Sequence, residues 1–390
     1  MRKRIWLLIG MAAIGLTGAL SYKLFEPVFT HNAGWADLPQ MPQAIGETLD
    51  PRWATQGATA DVAMREGLTE IGAPALSAAL SIDGKLVWRN VAGLANIENV
   101  KAANFDTRFR TGSTSKAITA VGVGVLIDEG KLHLDQSIAK FPHEVTLGQV
   151  MSHRAGIRNY GMCLCLPAWE HLNRRSFASI DEQVALVAKS SLLFQPGTDF
   201  AYTSLGFNLA GSAIENASGQ TFGPYMSQAV FQPLGMENTS LSEAGAATFY
   251  ETEMGRYKPA FRVDNSIRWP SGGFVSTPTD VVKLGNAMLN DSLLTTNTRK
   301  LLVTVPLAGR TESGKMYAYG WRRSSWQLYN GKMTLDSYHH GGTAVGSTSI
   351  LVIFPDKGIV LSMMMNKGGE NIDDISVVAD RILEGFIPLA

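Results

Sequence analysis

Ser113 and Lys116 are the residues of this sequence whose types and spacing most directly suggest chemistry. They stand three positions apart in Ser113-Thr114-Ser115-Lys116, and that spacing places two side chains on one face of a helix. A serine hydroxyl is a weak nucleophile until a base lies within hydrogen-bond reach. Lysine can be that base when burial lowers its pKa, because burial disfavours the charged amine. The pair therefore predicts nucleophilic chemistry at Ser113.

The chain around Ser113 supports this assignment. Gly112 allows an unusual backbone angle just before an apolar run over 113–129 that ends at Gly130 and is typical of a helix. Amides at a helix N-terminus favour a developing negative charge. The same spacing recurs in Ser137-Ile138-Ala139-Lys140, but no long helix follows there. We interpret Ser137 as a capping serine beside a solvated lysine.

Two further motifs follow in chain order. Tyr202 and Ser204 stand at the start of a predicted helix, where a tyrosine can pass a proton between nucleophile, lysine and leaving group. His340, Gly341 and Gly342 form a second motif. The glycines let a substrate backbone lie close, and the histidine supplies a hydrogen-bond donor or a positive charge. Each motif alone is more often structural, so their weight comes from their order along the chain.

Strand patterns occur near both ends of the chain and helix patterns lie between them. Asp83-Gly84 and Asn330-Gly331 are turn dipeptides between apolar runs and predict β-hairpins. We therefore predict an α+β fold in which strands from both chain ends form one antiparallel sheet, flanked by helices, with an inserted all-helical region. A cleft between these parts is the expected place for a site.

The ordered triplet Ser-x-x-Lys, Tyr-x-Ser and His-x-Gly resembles a family of serine hydrolases. That family comprises class C β-lactamases, penicillin-binding D-alanyl-D-alanine carboxypeptidases and related esterases. Segments between the motifs are also similar to it, and the likeness runs from about residue 67 to 388; these segments are 151–157, 194–197 and 272–277. The resemblance implies the β-lactamase and penicillin-binding-protein fold.

The resemblance also implies roles. Ser113 would form an acyl-enzyme, Lys116 and Tyr202 would handle its proton, and which of the two is the acylation base stays open. The backbone amides of Ser113 and Thr343 would form the oxyanion hole, and no metal or organic cofactor is expected. His339 also precedes a residue and then a glycine, but His340 gives the better ungapped match to the family.

Two departures from many β-lactamases bear on the substrate. Ser204 replaces an asparagine and cannot donate an amide hydrogen bond, and His340 replaces a lysine and carries less positive charge at neutral pH. We therefore expect a peptidase or esterase, with weak or no β-lactamase activity, acting on a small ester, peptide or β-lactam-like substrate. A non-catalytic scaffold or peptide-binding protein that keeps the fold is the alternative.

Composition narrows the classes of partner. Lys plus Arg and Asp plus Glu each number 34, so there is no electrostatic reason to expect nucleic acid. Two cysteines, Cys163 and Cys165, cannot supply a four-ligand zinc site. Assembly into a homo-oligomer stays open.

The N-terminus differs in composition from the rest of the chain. Three basic residues at 2–4 precede an almost uncharged run over 5–22, which is typical of a membrane anchor or a cleaved signal peptide. We predict an anchor or signal segment over 1–22, a proline-containing linker over 23–66 and a hydrolase domain over 67–390. The expected location is periplasmic, anchored to the inner membrane, or secreted if the segment is cleaved.

Overall fold

An eight-stranded antiparallel sheet lies at the centre of the computed structural model, which describes residues 2–139, 141–163, 165–306, 316–368 and 373–389. The strands of this sheet are β1 (Ile45–Thr48), β2 (Ala75–Ile82), β3 (Lys85–Asn96), β4 (Lys101–Ala102), β9 (Arg322–Leu328), β10 (Met333–Ala344), β11 (Ser347–Phe354) and β12 (Ile359–Met365). Neighbouring strands follow the order β1-β3-β2-β12-β11-β10-β9, and β4 pairs with β3 outside this order.

The sheet joins the two chain ends as predicted, because β2 pairs with β12 at its centre. The two predicted hairpin turns form as expected. Asp83 and Gly84 have φ of 49° and 77°, and Asn330 and Gly331 have φ of 56° and 85°. In the first hairpin, Ile82 pairs with Lys85, and positive φ at both loop residues is the turn geometry that matches the right-handed twist of paired strands. In the second, Asn330 and Gly331 are the central residues of a four-residue loop over 329–332.

Helices cover both faces of the sheet. On one face, α2 and α12 enclose a core that includes Met64, Leu68 and Ile382. On the other face, a larger core lies under α3, α6 and α10. The helices are α1 (Arg2–Phe29), α2 (Ala54–Ile71), α3 (Ser115–Asp128), α4 (Leu147–Met151), α5 (Ile180–Ala188), α6 (Ser204–Ser218), α7 (Phe222–Met226), α8 (Gln232–Leu234), α9 (Trp269–Gly272), α10 (Pro278–Ala287), α11 (Thr296–Leu302) and α12 (Asp373–Phe386).

The region between the two halves of the sheet is mainly helical. It differs from the predicted all-helical insert in containing two short two-stranded sheets, β5 (Phe109–Arg110) with β8 (Val275–Ser276) and β6 (Tyr250–Glu253) with β7 (Arg256–Pro259). Such two- and four-residue strands are too short for an alternating pattern to be visible in the sequence. Within the same region, Cys163 and Cys165 are joined in a disulfide.

The segment that we predict to be a linker over 23–66 contains secondary structure. Its second half contains β1 and most of α2, and α2 buries small residues against the sheet, among them Gly57, Ala60 and Ala63. A β-carbon on Gly57 would contact the Thr48 side chain of β1, so the two elements are in close contact. Small residues give a weak periodic signal, which explains why the sequence alone does not reveal this helix.

The N-terminal helix gives a different result from the one we predict. Among the described residues, no helix has both the length and the hydrophobicity needed to cross a bilayer. The end of α1 instead contacts the domain: Glu26 pairs with Arg174 at 3.0 Å, and the Leu24 carbonyl accepts a hydrogen bond from the Ala168 amide. The predicted anchoring to the inner membrane is therefore wrong for the part of the chain that the structure describes.

Candidate active site

Ser113 lies in a single helical turn, Gly112–Thr114, that leads directly into α3. Gly112 has φ of 49°, a conformation that costs residues with a β-carbon about 1–2 kcal/mol. A β-carbon at this position would also lie 2.8 Å from the Thr343 backbone in β10. The glycine before the serine therefore serves two needs, the tight turn and the close approach of β10.

Lys116 projects from the first turn of α3 into the protein and is completely buried. Its amine lies 3.1 Å from Ser113 Oγ, 3.1 Å from Ser204 Oγ and 2.9 Å from the Ser271 carbonyl oxygen. These contacts join the turn before α3, the start of α6 and the end of α9. Three separate parts of the chain thus fix the amine beside the hydroxyl of Ser113.

The surroundings of Lys116 favour its neutral form. Burial lowers the pKa of Lys116 well below its usual value, and the positive charges of Arg268 and Arg322 lower it further. Among the described residues, none of these three side chains forms an ion pair with a carboxylate. A neutral amine keeps a lone pair, which can accept the proton of Ser113 while its two N–H groups bond Ser204 and Ser271.

Tyr202 lies two residues before α6, with its ring against the same amine. Lys116 Nζ is 4.8 Å from the ring centroid. Burial raises the pKa of Tyr202 to about 12, although the neighbouring Ser113 hydroxyl opposes this rise. The phenol therefore carries its proton at neutral pH, which favours Lys116 over Tyr202 as the base.

Ser204 is the first residue of α6, and its position is fixed from both sides. Its hydroxyl accepts from Lys116, and its amide donates to Asn159 Oδ1 at 3.0 Å. The side chain of Thr203 caps the helix by accepting from the Gly206 amide, as expected for an N-cap threonine. The hydroxyl of Ser204 is thus oriented towards the lysine.

His340 lies within β10 rather than at the start of a strand, and both of its ring nitrogens have partners. Nδ1 lies 2.7 Å from the Gly341 carbonyl and Nε2 lies 2.9 Å from the Tyr317 hydroxyl. This arrangement fits a neutral ring in which Nδ1–H donates and Nε2 accepts. Burial, with Arg322 and Lys116 nearby, holds the pKa of His340 well below its usual value. Of the two roles that we predicted for His340, a hydrogen-bond donor or a positive charge, a neutral ring favours the first.

His339 has different surroundings from His340. Its Nε2 lies 2.8 Å from Ser324 Oγ, and its ring packs edge-on against Trp326 at 5.6 Å. Successive side chains of a strand point to opposite faces. The structure thus places His340 and not His339 beside Lys116.

The glycines of β10 bring this strand against the turn that carries Ser113. A β-carbon on Gly342 would lie 2.9 Å from the Ser113 amide nitrogen and would also meet the Thr111 carbonyl. Gly341 precedes it in the strand, and Thr343 follows with an exposed side chain. The backbone of β10 therefore forms one wall beside Ser113.

The structure brings Ser113, Lys116, Tyr202 and Ser204 into one cluster beside β10. Ser137 is elsewhere, in a bridge with Thr146, and residue 140 of its motif lies outside the described residues. Sequence reasoning does not assign a role to several side chains that surround the cluster: His153, Asn159, Arg268, Tyr317 and Arg322. Only His153 and Asn159 lie near a family-like segment, whereas the others carry no sequence signal.

Metal binding has little support in the residues that the structure describes. Across those ranges, no group of three or more His, Cys, Asp and Glu side chains is arranged to hold a metal ion.

Comparison with known proteins agrees with the geometry. A family model described as Beta-lactamase matches residues 60–381. The serine beta-lactamase-like protein LACTB, mitochondrial, of Homo sapiens is 26% identical over an alignment of 406 positions including gaps. The alignment covers 76% of this chain and 74% of that protein. Penicillin-binding protein 4 of Amycolatopsis lactamdurans is 26% identical over 325 residues, covering 77% and 82%. The human protein's name places it in mitochondria, which differs from the periplasmic location that we predicted.

Among solved structures, one similar fold is the D-amino acid amidase from Ochrobactrum anthropi SV3, complexed with L-phenylalanine amide. It has a TM-score of 0.72 and 21% sequence identity, over 85% of this chain and 98% of that chain. At this identity the likeness shows the fold alone.

Proposed function

The chain belongs to the beta-lactamase family of serine hydrolases, and on that premise we propose that it acts through an acyl-enzyme on Ser113. The observation that carries the proposal is the position of the Lys116 amine, 3.1 Å from Ser113 Oγ and fully buried. A buried amine with a lowered pKa is the activated partner that a serine nucleophile needs.

In the proposed reaction, the lone pair of Lys116 accepts the proton of Ser113 as Oγ attacks the substrate carbonyl. Tyr202 donates its phenolic proton to the leaving alcohol or amine and regains a proton from Lys116, so that the proton taken from Ser113 is the one transferred overall. The leaving alcohol or amine then departs with a proton, and water hydrolyses the ester formed on Ser113. General acid–base groups of this kind contribute about 10²–10⁴-fold to a rate.

The negative charge on the substrate oxygen would be stabilised by the backbone amides of Ser113 and Thr343. The proposal is supported by the close approach of β10 to the serine turn, since a β-carbon on Gly112 would lie 2.8 Å from the Thr343 backbone. Backbone donors that are fixed before reaction cost no reorganisation when the charge develops. Gly341 and Gly342 would let a substrate lie along the strand.

We propose an ester or peptide substrate in preference to a β-lactam. Ser204 has no side-chain amide to donate, and its hydroxyl already accepts from Lys116. His340 is neutral, with both nitrogens occupied. The guanidinium of the half-buried Arg322 lies 5.8 Å from the Tyr202 ring centroid and is the positive charge that a substrate would meet in its place.

The test is covalent labelling of the purified full-length protein. A fluorophosphonate probe is added, and the labelled peptide is identified by mass spectrometry. We expect one adduct, on Ser113, that Ser113→Ala abolishes and Ser137→Ala leaves unchanged. If Ser113 stays unlabelled under conditions that label a control serine hydrolase, the acyl-enzyme proposal fails and the scaffold alternative gains support.

A second measurement addresses the substrate class. Hydrolysis of a p-nitrophenyl ester and of a chromogenic β-lactam is compared at equal enzyme concentration. We expect ester turnover to exceed β-lactam turnover. The opposite order would contradict the preference for an ester or peptide.

A further inference from the structure

His153 lies directly behind Tyr202 and contacts the chain on both sides of it. Its carbonyl oxygen accepts a hydrogen bond from the Ala201 amide at 2.9 Å. Its Nδ1 accepts from the Thr203 amide at 3.3 Å. The residues immediately before and after Tyr202 are therefore both bonded to one histidine.

The ring of His153 also contacts the ring of Tyr202. The two ring centroids are 4.3 Å apart, and the ring of Tyr317 contacts both His153, at 4.5 Å, and Tyr202, at 5.8 Å. Only 1% of His153 is exposed. Close packing of this kind leaves the tyrosine ring little freedom to move.

The backbone of His153 adopts a conformation that other structure must impose. Its φ is 60°, a left-handed value that is uncommon for residues other than glycine. The conformation is held by a bond from the His153 amide to the Val150 carbonyl and by α4, which carries a capping box at Thr146 and Gln149. Strained residues of this type tend to occur where geometry matters for function.

The protonation state of the ring fits an acceptor. Because the Thr203 amide donates to Nδ1, the ring proton is on Nε2, which has no hydrogen-bond partner among the described residues. Burial holds the pKa of His153 well below its usual value, and the neighbouring basic groups, which include Arg322 and Arg154, act in the same direction. The ring is therefore neutral.

We propose that His153 is a positioning residue that holds the Tyr202 hydroxyl at Ser113, through the two flanking amides and the ring contact. The inference rests on the proposed function, since it assigns His153 a part in acylation of Ser113. Among the described residues, none of the hydrogen bonds and ring contacts of His153 is with Ser113, so we infer that its effect passes through Tyr202.

The test uses two amide variants that differ in where they place an acceptor. His153→Asn can put an oxygen near the position of Nδ1, and asparagine tolerates a left-handed backbone. His153→Gln puts its oxygen near the position of Nε2, out of reach of the Thr203 amide. We expect the Gln variant to label with fluorophosphonate about 10–100-fold more slowly than the wild type, the scale of a small misplacement of a reacting group. The Asn variant should recover most of this loss.

A double-mutant cycle separates positioning from general damage to the fold. In a Tyr202→Phe background, which lacks the hydroxyl, His153→Gln should slow labelling by less than about twofold. An equal loss in both backgrounds, or no loss in the wild-type background, would overturn the inference. His339→Gln is the matched control, because His339 is a half-buried histidine of β10 that contacts Ser324 and Trp326 and not Tyr202 among the described residues, and it should label normally.

Should His153→Gln fail to fold, the same cycle with His153→Asn decides the question, since any loss it causes must also vanish without the Tyr202 hydroxyl. The two proposals fail in different ways. An unlabelled wild type contradicts the acyl-enzyme on Ser113, whereas a labelled wild type with an unaffected His153→Gln variant contradicts only the role of His153.

Discussion

The amine of Lys116 lies 3.1 Å from the hydroxyl of Ser113, and within the described part of the chain no carboxylate pairs with it. A lysine is ordinarily a surface cation, and removing it from water without a counter-charge favours deprotonation. The same burial that would destabilise a charged lysine therefore produces a base beside a nucleophile.

Replacing Lys116 should remove the base. Lys116→Met keeps the length of the side chain but has no amine, and Lys116→Arg keeps a charge that cannot be neutralised at working pH. Both variants should lower the rate of fluorophosphonate labelling at Ser113 by about 10²–10⁴-fold. Stopped-flow or gel-based labelling kinetics measure this. Near-normal labelling of either variant would show that Lys116 is not the base.

The lowered pKa of Lys116 also predicts how stability depends on pH. The folded pKa lies below the ordinary value of 10.5, so between the two values the unfolded chain binds the extra proton. The free energy of unfolding of the wild type should therefore rise with pH relative to Lys116→Met, which cannot titrate. The difference between their melting temperatures should shift in favour of the wild type from neutral pH towards pH 10.5. A difference that does not change with pH would contradict a buried neutral amine.

Arg322 should influence how the labelling rate at Ser113 depends on pH. We expect this rate to fall at low pH, where Lys116 becomes protonated. The charge of Arg322 lowers the pKa of Lys116, so Arg322→Gln should raise that pKa and make labelling several-fold slower in the pH range where the rate falls. At higher pH, where the amine is neutral in both proteins, the rates should converge.

Arg323→Gln is the matched control for that experiment. Arg323 is the next residue of β9 and pairs with Asp336 at 2.9 Å, and neighbouring side chains of a strand point to opposite faces. Its replacement should leave the pH profile unchanged. Equal shifts for Arg322→Gln and Arg323→Gln would indicate an effect of overall charge and not of position.

Gly112 should tolerate no side chain. Gly112→Ala adds the cost of a left-handed backbone, about 1–2 kcal/mol, and also forces β10 away from the serine turn. Gly130→Ala is a matched comparison, because Gly130 has φ of 69° but nothing within 4 Å of a β-carbon. Both variants should melt at a lower temperature, but only Gly112→Ala should slow labelling, by about 10²-fold. Equal labelling by the two variants would contradict the role of this close approach.

The parts of the molecule that could be predicted from sequence depend on contacts between near neighbours. Asp83-Gly84 and Asn330-Gly331 specify their hairpins through the backbone angles that those residues adopt. By contrast, the sequence gives no clear sign of α2. Its buried face consists largely of glycine and alanine, and it is stable because it packs on a sheet whose strands come from both ends of the chain.

Ser113 and Lys116 show where the two sources of information divide. Their spacing of three residues lets the sequence alone determine that the side chains share a helix face. Only the tertiary structure decided that the lysine is buried, that Ser204 and the Ser271 carbonyl hold its amine, and that His340 is neutral. A pKa depends on the water and charge around a group, and both are set by residues far away in the chain. Pattern and spacing identified the pair, whereas burial by distant elements determined what the pair can do.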